Sequence, residues 1–278
     1  MTMRYRPSRE EMEMLNEFVS GCTGLYFPEH KIEILQSRLL PRLQALGLRR
    51  FGEYYAYLQA NIDGELGVLT QLITNNETYF FRETHQFTAF FESLDKLKTG
   101  AMERGALRLL CAGCSSGEEA YTLNIFAKEN QYRYRGVDLT IDAFDIDSTR
   151  LEIAQGAEYG QYSLRGLDEA TIARYFRKGE NGRYALREPY RTGVKFSRGN
   201  LLDLSTFQKY VPYDAIFCRN VIIYFSEPAI HKSVHNLAVC IRMGGLLFLG
   251  HSESIIGLSP CFEAVRVSDC IAYKRVQG

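Results

Sequence analysis

The sequence predicts a doubly wound α/β domain that follows an all-helical domain and carries a small antiparallel β insertion. Three observations predict it. Apolar residues recur at helical spacing through about the first ninety positions. Beyond about residue 105, short apolar runs bounded by Gly, Asp or Asn alternate with longer helical stretches, and one stretch near residue 190 alternates apolar with polar. The expected domains are 1–90 with a linker to about 105, then 106–278 with the insertion at about 176–198.

In the first domain, Ser8 ahead of Glu10 and Glu11 reads as an N-cap with acidic residues in the first turn. Met12, Leu15, Phe18 and Val19 follow one helical face, which Gly21 and Gly24 end. A second helix carries Ile32, Leu35, Leu39 and Leu43 and stops at Gly47; Pro41 inside it predicts a kink or break. Tyr54, Tyr57 and Leu58 mark a third helix, and Leu66, Leu69, Leu72 and Ile73 a fourth. In the second domain, residues 107–111, 139–144, 215–218 and 246–249 read as buried parallel strands. Residues 118–128, 148–155 and 228–241 read as the helices between them. The alternation over 183–197, at Tyr184, Leu186, Val194 and Phe196, reads as the antiparallel insertion, with turns at Gly179, Asn181-Gly182 and Gly193. Residues 262–274 suit a closing hairpin. A sheet of this kind binds its ligand beyond the carboxyl ends of the strands.

The composition is ordinary for a globular chain, at 46% hydrophobic and 24% charged, which argues against disorder. The formal net charge of zero gives no whole-protein field that would draw nucleic acid or a membrane surface. No apolar run approaches the roughly 20 residues of a membrane span, and Met1-Thr-Met-Arg-Tyr-Arg-Pro7 has no signal-peptide core. Seven cysteines, mostly inside apolar runs, fit reduced and buried thiols in a cytoplasmic protein. Cys111 and Cys114 have CxxC spacing. No further ligand pair or redox context lies nearby, so the pair reads as a strand end entering a loop rather than as a metal site.

That strand ends in Ala112-Gly113-Cys114-Ser115-Ser116-Gly117-Glu118-Glu119. Glycines there let backbone approach a ligand closely, ahead of a helix start with exposed amides. GxGxxG is absent, and two glutamates would repel a pyrophosphate; they suit a cationic ligand, while a plain capped helix explains the segment equally well. The next strand ends in Asp145-Ile146-Asp147. An acid at that position commonly holds ribose hydroxyls, so Asp145 is assigned the ribose and Asp147 the cap of the following helix. Arg219 and Asn220 follow another buried strand. Asn75 to Glu83 packs polar residues around Tyr79, Phe80 and Phe81 at the domain junction, where the aromatics alone would suit a core.

Asn76-Glu77-Thr78-Tyr79-Phe80-Phe81-Arg82-Glu83, Ser116-Gly117-Glu118-Glu119-Ala120-Tyr121, Asp145-Ile146-Asp147, Asn200-Leu201-Leu202, Phe217-Cys218-Arg219-Asn220-Val221-Ile222-Ile223-Tyr224-Phe225 and Gly250-His251-Ser252-Glu253 resemble, in order and spacing, the CheR-type chemotaxis receptor methyltransferases. The resemblance covers nearly the whole chain, including the helical domain and the insertion. It implies a Rossmann-like S-adenosylmethionine methyltransferase sheet and transfer to glutamate carboxylates of a chemoreceptor's cytoplasmic helical bundle. It implies that Asn76, Thr78, Arg82, Glu119, Asp145, Asn200, Leu201, Arg219 and Asn220 surround S-adenosylmethionine or its product S-adenosylhomocysteine. It further implies that Arg82, Arg219 and Tyr224 lie near the transferred methyl. The turn at Gly179-Glu180-Asn181-Gly182-Arg183 is shorter than the glycine-rich turn expected of members that bind a receptor tether. Lys31, Arg38, Arg42, Arg49 and Arg50, opposed locally by Glu33, suit either a receptor-facing surface or a solvated basic helix face.

A carboxylate is already an anion at neutral pH, so such a transfer requires no general base. What remains for the enzyme is orientation, with Arg82 or Arg219 making a single-point contact to the attacking carboxylate and Tyr224 orienting it. No metal is implied, and a monomer suffices. Two other classes stay open at this point: a non-catalytic cofactor sensor, and a methyltransferase acting on a small molecule or nucleic acid. The second lacks both an Asn-Pro-Pro-Tyr-type motif and a strong phosphate-binding charge.

Overall fold

Contacts divide the chain into two units, one running to Asn75 and taking in Tyr224–Lys232, the other beginning at Asn76. The computed structural model describes residues 7–208 and 212–277, with the side chains of 95–100, 102 and 208 outside the description. The segment read against a signal peptide therefore lies, except for Pro7, outside the described residues. No described helix is long and apolar enough to cross a membrane.

The first unit holds four helices, α1 Arg9–Thr23, α2 Ile32–Ala45, α3 Phe51–Ala60 and α4 Ile62–Ile73. Ser8 caps α1 as its sequence predicts. Its hydroxyl accepts from the Glu11 amide at 3.1 Å, and the Glu11 carboxylate accepts from the Ser8 amide at 3.0 Å. Gly24, left-handed at φ 86°, ends the helix, whereas Gly21 stays inside it. The break predicted at Pro41 does not occur, and α2 continues to Ala45. Leu35, Leu39 and Leu43 are buried on one face and hold the turns on either side, while the proline ring faces solvent.

Of the five basic residues that suit a face, Arg38, Arg42 and Arg50 are less free than their local sequence predicts. Arg42 donates to both oxygens of the buried Glu65, at 2.8 and 2.6 Å, and Tyr54 donates to the same carboxylate at 2.9 Å. Burial would raise the Glu65 pKa, but these bonds outweigh it and hold the carboxyl below its ordinary range. Arg38 donates to the Ile73 and Thr74 carbonyls, and Arg50 pairs with Glu11 at 3.4 Å. Glu33 is thus not their only counter-charge; the others come from distant sequence.

The second unit is built on seven strands: β1 Ala106–Ala112, β2 Asp138–Asp145, β3 Val194–Arg198, β4 Tyr213–Cys218, β5 Ile241–Leu249, β6 Phe262–Val267 and β7 Cys270–Arg275. Their order is β3-β2-β1-β4-β5-β7-β6. The first five run parallel, β7 is antiparallel to β5, and β6 and β7 form the predicted closing hairpin. Helices α5 His85–Arg104, α6 Glu118–Glu129, α7 Ser148–Gly156, α8 Glu169–Tyr175 and α9 Glu227–Cys240 complete the alternation. Every residue of β4 is buried, as expected of an inner parallel strand covered on both faces. Phe217 and Phe248 stack across β4 and β5 with ring centroids 4.8 Å apart.

Two boundaries differ from the sequence reading. Residues 85–104, which span the end of the expected helical domain and most of the linker expected to about 105, form α5, whose Phe87, Phe90, Phe91 and Leu94 enter the sheet's core, and contacts divide the chain at Asn75/Asn76. Helical periodicity gives no sign of which core a face will join. The insertion is also displaced. Its three short antiparallel strands are Glu158–Tyr159, Phe176–Lys178 and Tyr184–Leu186, joined between the last two by a compact turn in which the Gly179 amide donates to the Arg183 carbonyl at 2.7 Å. Val194–Arg198 instead pairs in parallel with β2, Ile141 opposite Val194. As an edge strand it is half-exposed and alternates like an antiparallel one.

Candidate functional site

β2 and β4 flank β1, and the strand order turns outward in both directions from it. That makes the carboxyl ends of β1, β2 and β4 the topological switch point. β1 runs into Gly113, whose φ of 80° is left-handed; an added Cβ would lie 2.5 Å from Val221 Cγ2, so only glycine serves. The Gly113 and Cys114 amides both donate to the Phe144 carbonyl, at 2.9 and 3.0 Å, which folds the loop over the end of β2. Cys111 and Cys114 are the buried strand end and loop residue that the sequence predicts, and burial pushes both thiols up.

Asp145 ends β2 beneath this loop. Its two oxygens accept from the Ser115 amide at 2.6 Å and the Asp147 amide at 2.9 Å. Burial raises its pKa to about 6, against those two backbone bonds. Asp147 caps α7 as assigned, accepting from the Thr149 amide at 3.0 Å, and its other oxygen accepts from Asn76 Nδ2 at 3.0 Å. The Gly199 amide donates to the Asp145 carbonyl at 3.0 Å, bringing Asn200 and the buried Leu201 beside it. Asn200 Oδ1 accepts from the Leu202 amide at 2.9 Å, closing that turn.

The two glutamates that open α6 part company. Glu118 is buried at 1% exposure, accepting from the Ser116 hydroxyl at 2.8 Å and the Ser163 hydroxyl at 2.9 Å. It serves the fold, not a cationic ligand. Glu119 faces Arg219, with Nη1 3.2 Å from Oε2. Burial raises the Glu119 pKa to about 7; Arg219 opposes that, and the Glu253 and Glu83 carboxylates add to it.

Arg219 lies at the centre of these contacts. Its side chain is 1% exposed, lies 4.9 Å over the Phe87 ring, and donates through Nη2 to the Arg82 carbonyl at 2.9 Å and to Glu83 Oε2 at 3.0 Å. The enclosed guanidinium thus bridges Glu119 and residues 82–83. Arg82 is half-buried, with Nη1 donating to the Glu77 carbonyl at 3.2 Å and its guanidinium 5.6 Å from the Tyr79 ring. The Thr78 carbonyl accepts from Arg165 at 3.4 Å. Tyr224 groups with the helical unit, where its hydroxyl accepts from Asn75 Nδ2 at 2.8 Å.

Three residues enter the constellation without a role read from the sequence. Glu253 accepts from the amides of Asn220, Gly250, Val221 and Ile223 at 2.7, 2.7, 2.9 and 3.2 Å, so one carboxylate fixes the whole turn after β4. That turn holds Asn220 at a left-handed φ of 59°. Glu83, itself left-handed at φ 49°, bridges Arg219 and the exposed His251, whose Nδ1 is 2.7 Å from Oε1. Burial would raise the Glu83 pKa, but the bonds to His251 and Arg219 outweigh it. Both acids stand in segments that carried the family resemblance. Their partners are backbone amides and distant side chains, which spacing does not reveal.

This switch-point site, acidic at its base, lies within the residues that a family comparison covers. A model of the CheR methyltransferase SAM-binding domain matches residues 76–271, and a model of the CheR methyltransferase all-alpha domain matches residues 10–74. Fold, site and match define the class as an S-adenosylmethionine-dependent methyltransferase. Within that class the chain belongs to the CheR family of chemotaxis protein methyltransferases. It is 34% identical to chemotaxis protein methyltransferase 2 of Vibrio cholerae, covering 90% of this chain and 88% of that protein. It is 32% identical to the chemotaxis protein methyltransferase of Salmonella typhimurium, covering 93% and 88%, and 31% identical to that of Escherichia coli, covering 94% and 90%.

Proposed function

We propose that this protein methylates glutamate side-chain carboxylates on the cytoplasmic helical bundle of a chemoreceptor, giving γ-methyl esters in chemosensory adaptation. The observation that carries the reading is the acidic floor at the switch point, Glu119 against the buried Arg219 and the buried Asp145 at the end of β2, in a chain of this family. The residues present fit S-adenosylmethionine. Two acids with raised proton affinity suit a cationic ligand that would ionise them. Ser115 Oγ is buried with no hydrogen-bond partner among the described residues, and the Gly113 backbone leaves no room for a side chain.

In this reading Asp145 takes the ribose, Glu119 the charged amino-acid end, and Asn76, Thr78, Asn200, Leu201 and Asn220 line the remainder. When bound, the cofactor supplies an electrophilic sulfonium methyl. The chain's part is to hold the attacking carboxylate in line and keep water away, which can supply roughly 7–11 kcal/mol. Arg82, the reachable guanidinium, makes the single contact to that carboxylate, and Arg219 keeps the floor beneath it in register. No residue need take a proton, because the carboxylate is ionised well below neutral pH. Tyr224 orients the carboxylate. The protein acts as a monomer in the cytoplasm.

The test is transfer from radiolabelled S-adenosylmethionine to chemoreceptor membranes, followed by alkali. Label released as methanol supports a carboxyl ester; base-stable label overturns the reading. Arg82→Ala should lower kcat/KM by on the order of 100-fold, a charge-assisted contact being worth about 1.5–3 kcal/mol, with an unchanged melting temperature. Normal turnover in that variant would remove Arg82 from the reaction.

A further inference from the structure

At the opposite end of the sheet, β5 interrupts its pairing with β4. Tyr213 pairs with Ile241 and Ala215 with Leu246, so the two residues advanced on β4 are matched by five on β5. The surplus, Arg242 to Gly245, swings out opposite Asp214. Bulges in an inner strand commonly re-aim a side chain, and here they aim Arg242. Its Nε lies 3.4 Å from Asp214 Oδ1. A Cβ on Gly245 would come within 2.8 Å of Ile241 Cγ1 and 3.0 Å of the Asp214 carbonyl, so the detour requires glycine there.

The detour opens a cavity of about 470 Å³. Four cationic residues line it, Arg104, Arg242, Arg266 and Lys274, against the single carboxylate of Asp214 among the described residues. That carboxylate, 6% exposed, is already committed. Oδ1 takes both Arg104 and Arg242, and Oδ2 accepts from the Arg108 amide at 2.9 Å. Two guanidiniums crowd one oxygen, and burial together with Arg104 lowers the Arg242 pKa while Asp214 opposes the shift. Arg266 donates only to the Ser268 carbonyl, at 3.1 Å, and the Lys274 ammonium makes no hydrogen bond or ion pair among the described residues. Glu92, bonded to the Ser268 hydroxyl at 3.3 Å, stands outside the lining. Leu246, Val265 and Val267 supply an apolar wall.

The geometry points to a second ligand site here, for a nucleoside phosphate. Its phosphates meet the Arg242, Arg266 and Lys274 charges that Asp214 leaves unbalanced, and its base lies along the valine wall. The volume suits a ligand of that size and exceeds what inorganic phosphate would fill. The site is separate from the methyl-transfer centre. Five residues from Asp214 to Arg219, at about 3.3 Å each, put the two ends roughly 16 Å apart.

Calorimetry of the full chain, saturated with S-adenosylhomocysteine to occupy the cofactor site, should detect GDP binding with Kd on the order of 100 µM. The double variant Arg266→Gln/Lys274→Gln should weaken GDP at least tenfold while leaving S-adenosylhomocysteine affinity and melting temperature unchanged. GDP binding that the double variant does not alter overturns the proposal, as does an absence of heat. Inorganic phosphate binding as tightly as GDP also overturns it, since the apolar wall would then contribute nothing.

Discussion

The two ends of the parallel sheet are opposites in charge and in how that charge is held. At the carboxyl ends, Asp145 and Glu253 are held by backbone amides, and Glu119 faces one guanidinium enclosed behind it. At the amino ends, Asp214 is surrounded by arginines that outnumber it. Amides neutralise a carboxylate with partial charges only, so the carboxyl end keeps a negative excess around the one enclosed guanidinium of Arg219. Guanidiniums over-neutralise one, so the amino end keeps a positive excess. The ligand proposed for each end carries charge opposite to that excess.

The largest effect expected of this comparison is at the amino end. Asp214→Ala leaves Arg104, Arg242 and the Arg108 amide without their shared acceptor. Stranding buried charge costs about 3–5 kcal/mol, which thermal or urea unfolding will register. A loss below about 1 kcal/mol would mean that solvent, and not Asp214, balances those arginines. At the carboxyl end, Asp145→Ala strands two buried amides instead of two full charges, at about 1–3 kcal/mol each. It should cost a comparable amount of stability and, unlike Asp214→Ala, weaken cofactor binding on the order of 100-fold. Cofactor affinity falling in Asp214→Ala but not in Asp145→Ala would break the comparison.

Much of this contrast was legible in the sequence at one end only. The glycine loop, Asp145 and the Arg219-Asn220 turn stood where buried apolar runs ended, because strands covered on both faces advertise their own ends. Glu119 and Glu118 could not be told apart, since consecutive residues at a helix start point in different directions and only Ser163, forty-five positions on from Glu118, reveals which one the fold consumes. The amino end was invisible. Residues 241–245 carry a polar arginine and two glycines, so the strand reads as starting at Leu246, and a bulge leaves no periodic mark. Val194 to Arg198 failed for a related reason: an edge strand's exposure imitates the alternation of an antiparallel one.

Glu119→Gln sharpens the comparison through pH. In the free protein the Glu119 pKa is raised to about 7 and that of Asp145 to about 6, both above their ordinary values. The folded state therefore holds protons that the unfolded chain has already lost. The resulting stability is complete below pH 4 and declines as pH rises through 7. A bound cation reverses the preference by favouring the carboxylates, so cofactor affinity should climb between pH 5 and 8, by at most about tenfold per unit for each linked proton. Glu119→Gln should weaken the cofactor about 10- to 100-fold at pH 8 and flatten the part of the climb above pH 6. An equally steep climb in the variant would assign the proton to another group.

The smallest effect belongs to the adjacent residue, and it tests whether position or charge selects the cofactor. Glu118 is the more deeply placed and its pKa is also raised by burial, but two hydroxyls satisfy it. A glutamine can accept from one of those hydroxyls and donate to the other. Glu118→Gln should change cofactor affinity less than about threefold and stability by less than about 1 kcal/mol. It should leave the pH dependence above pH 6 intact. Should Glu118→Gln instead match Glu119→Gln, the two carboxylates would be acting as one diffuse negative field at the helix start. The distinction between an acid that faces the ligand and one that the fold consumes would then fail.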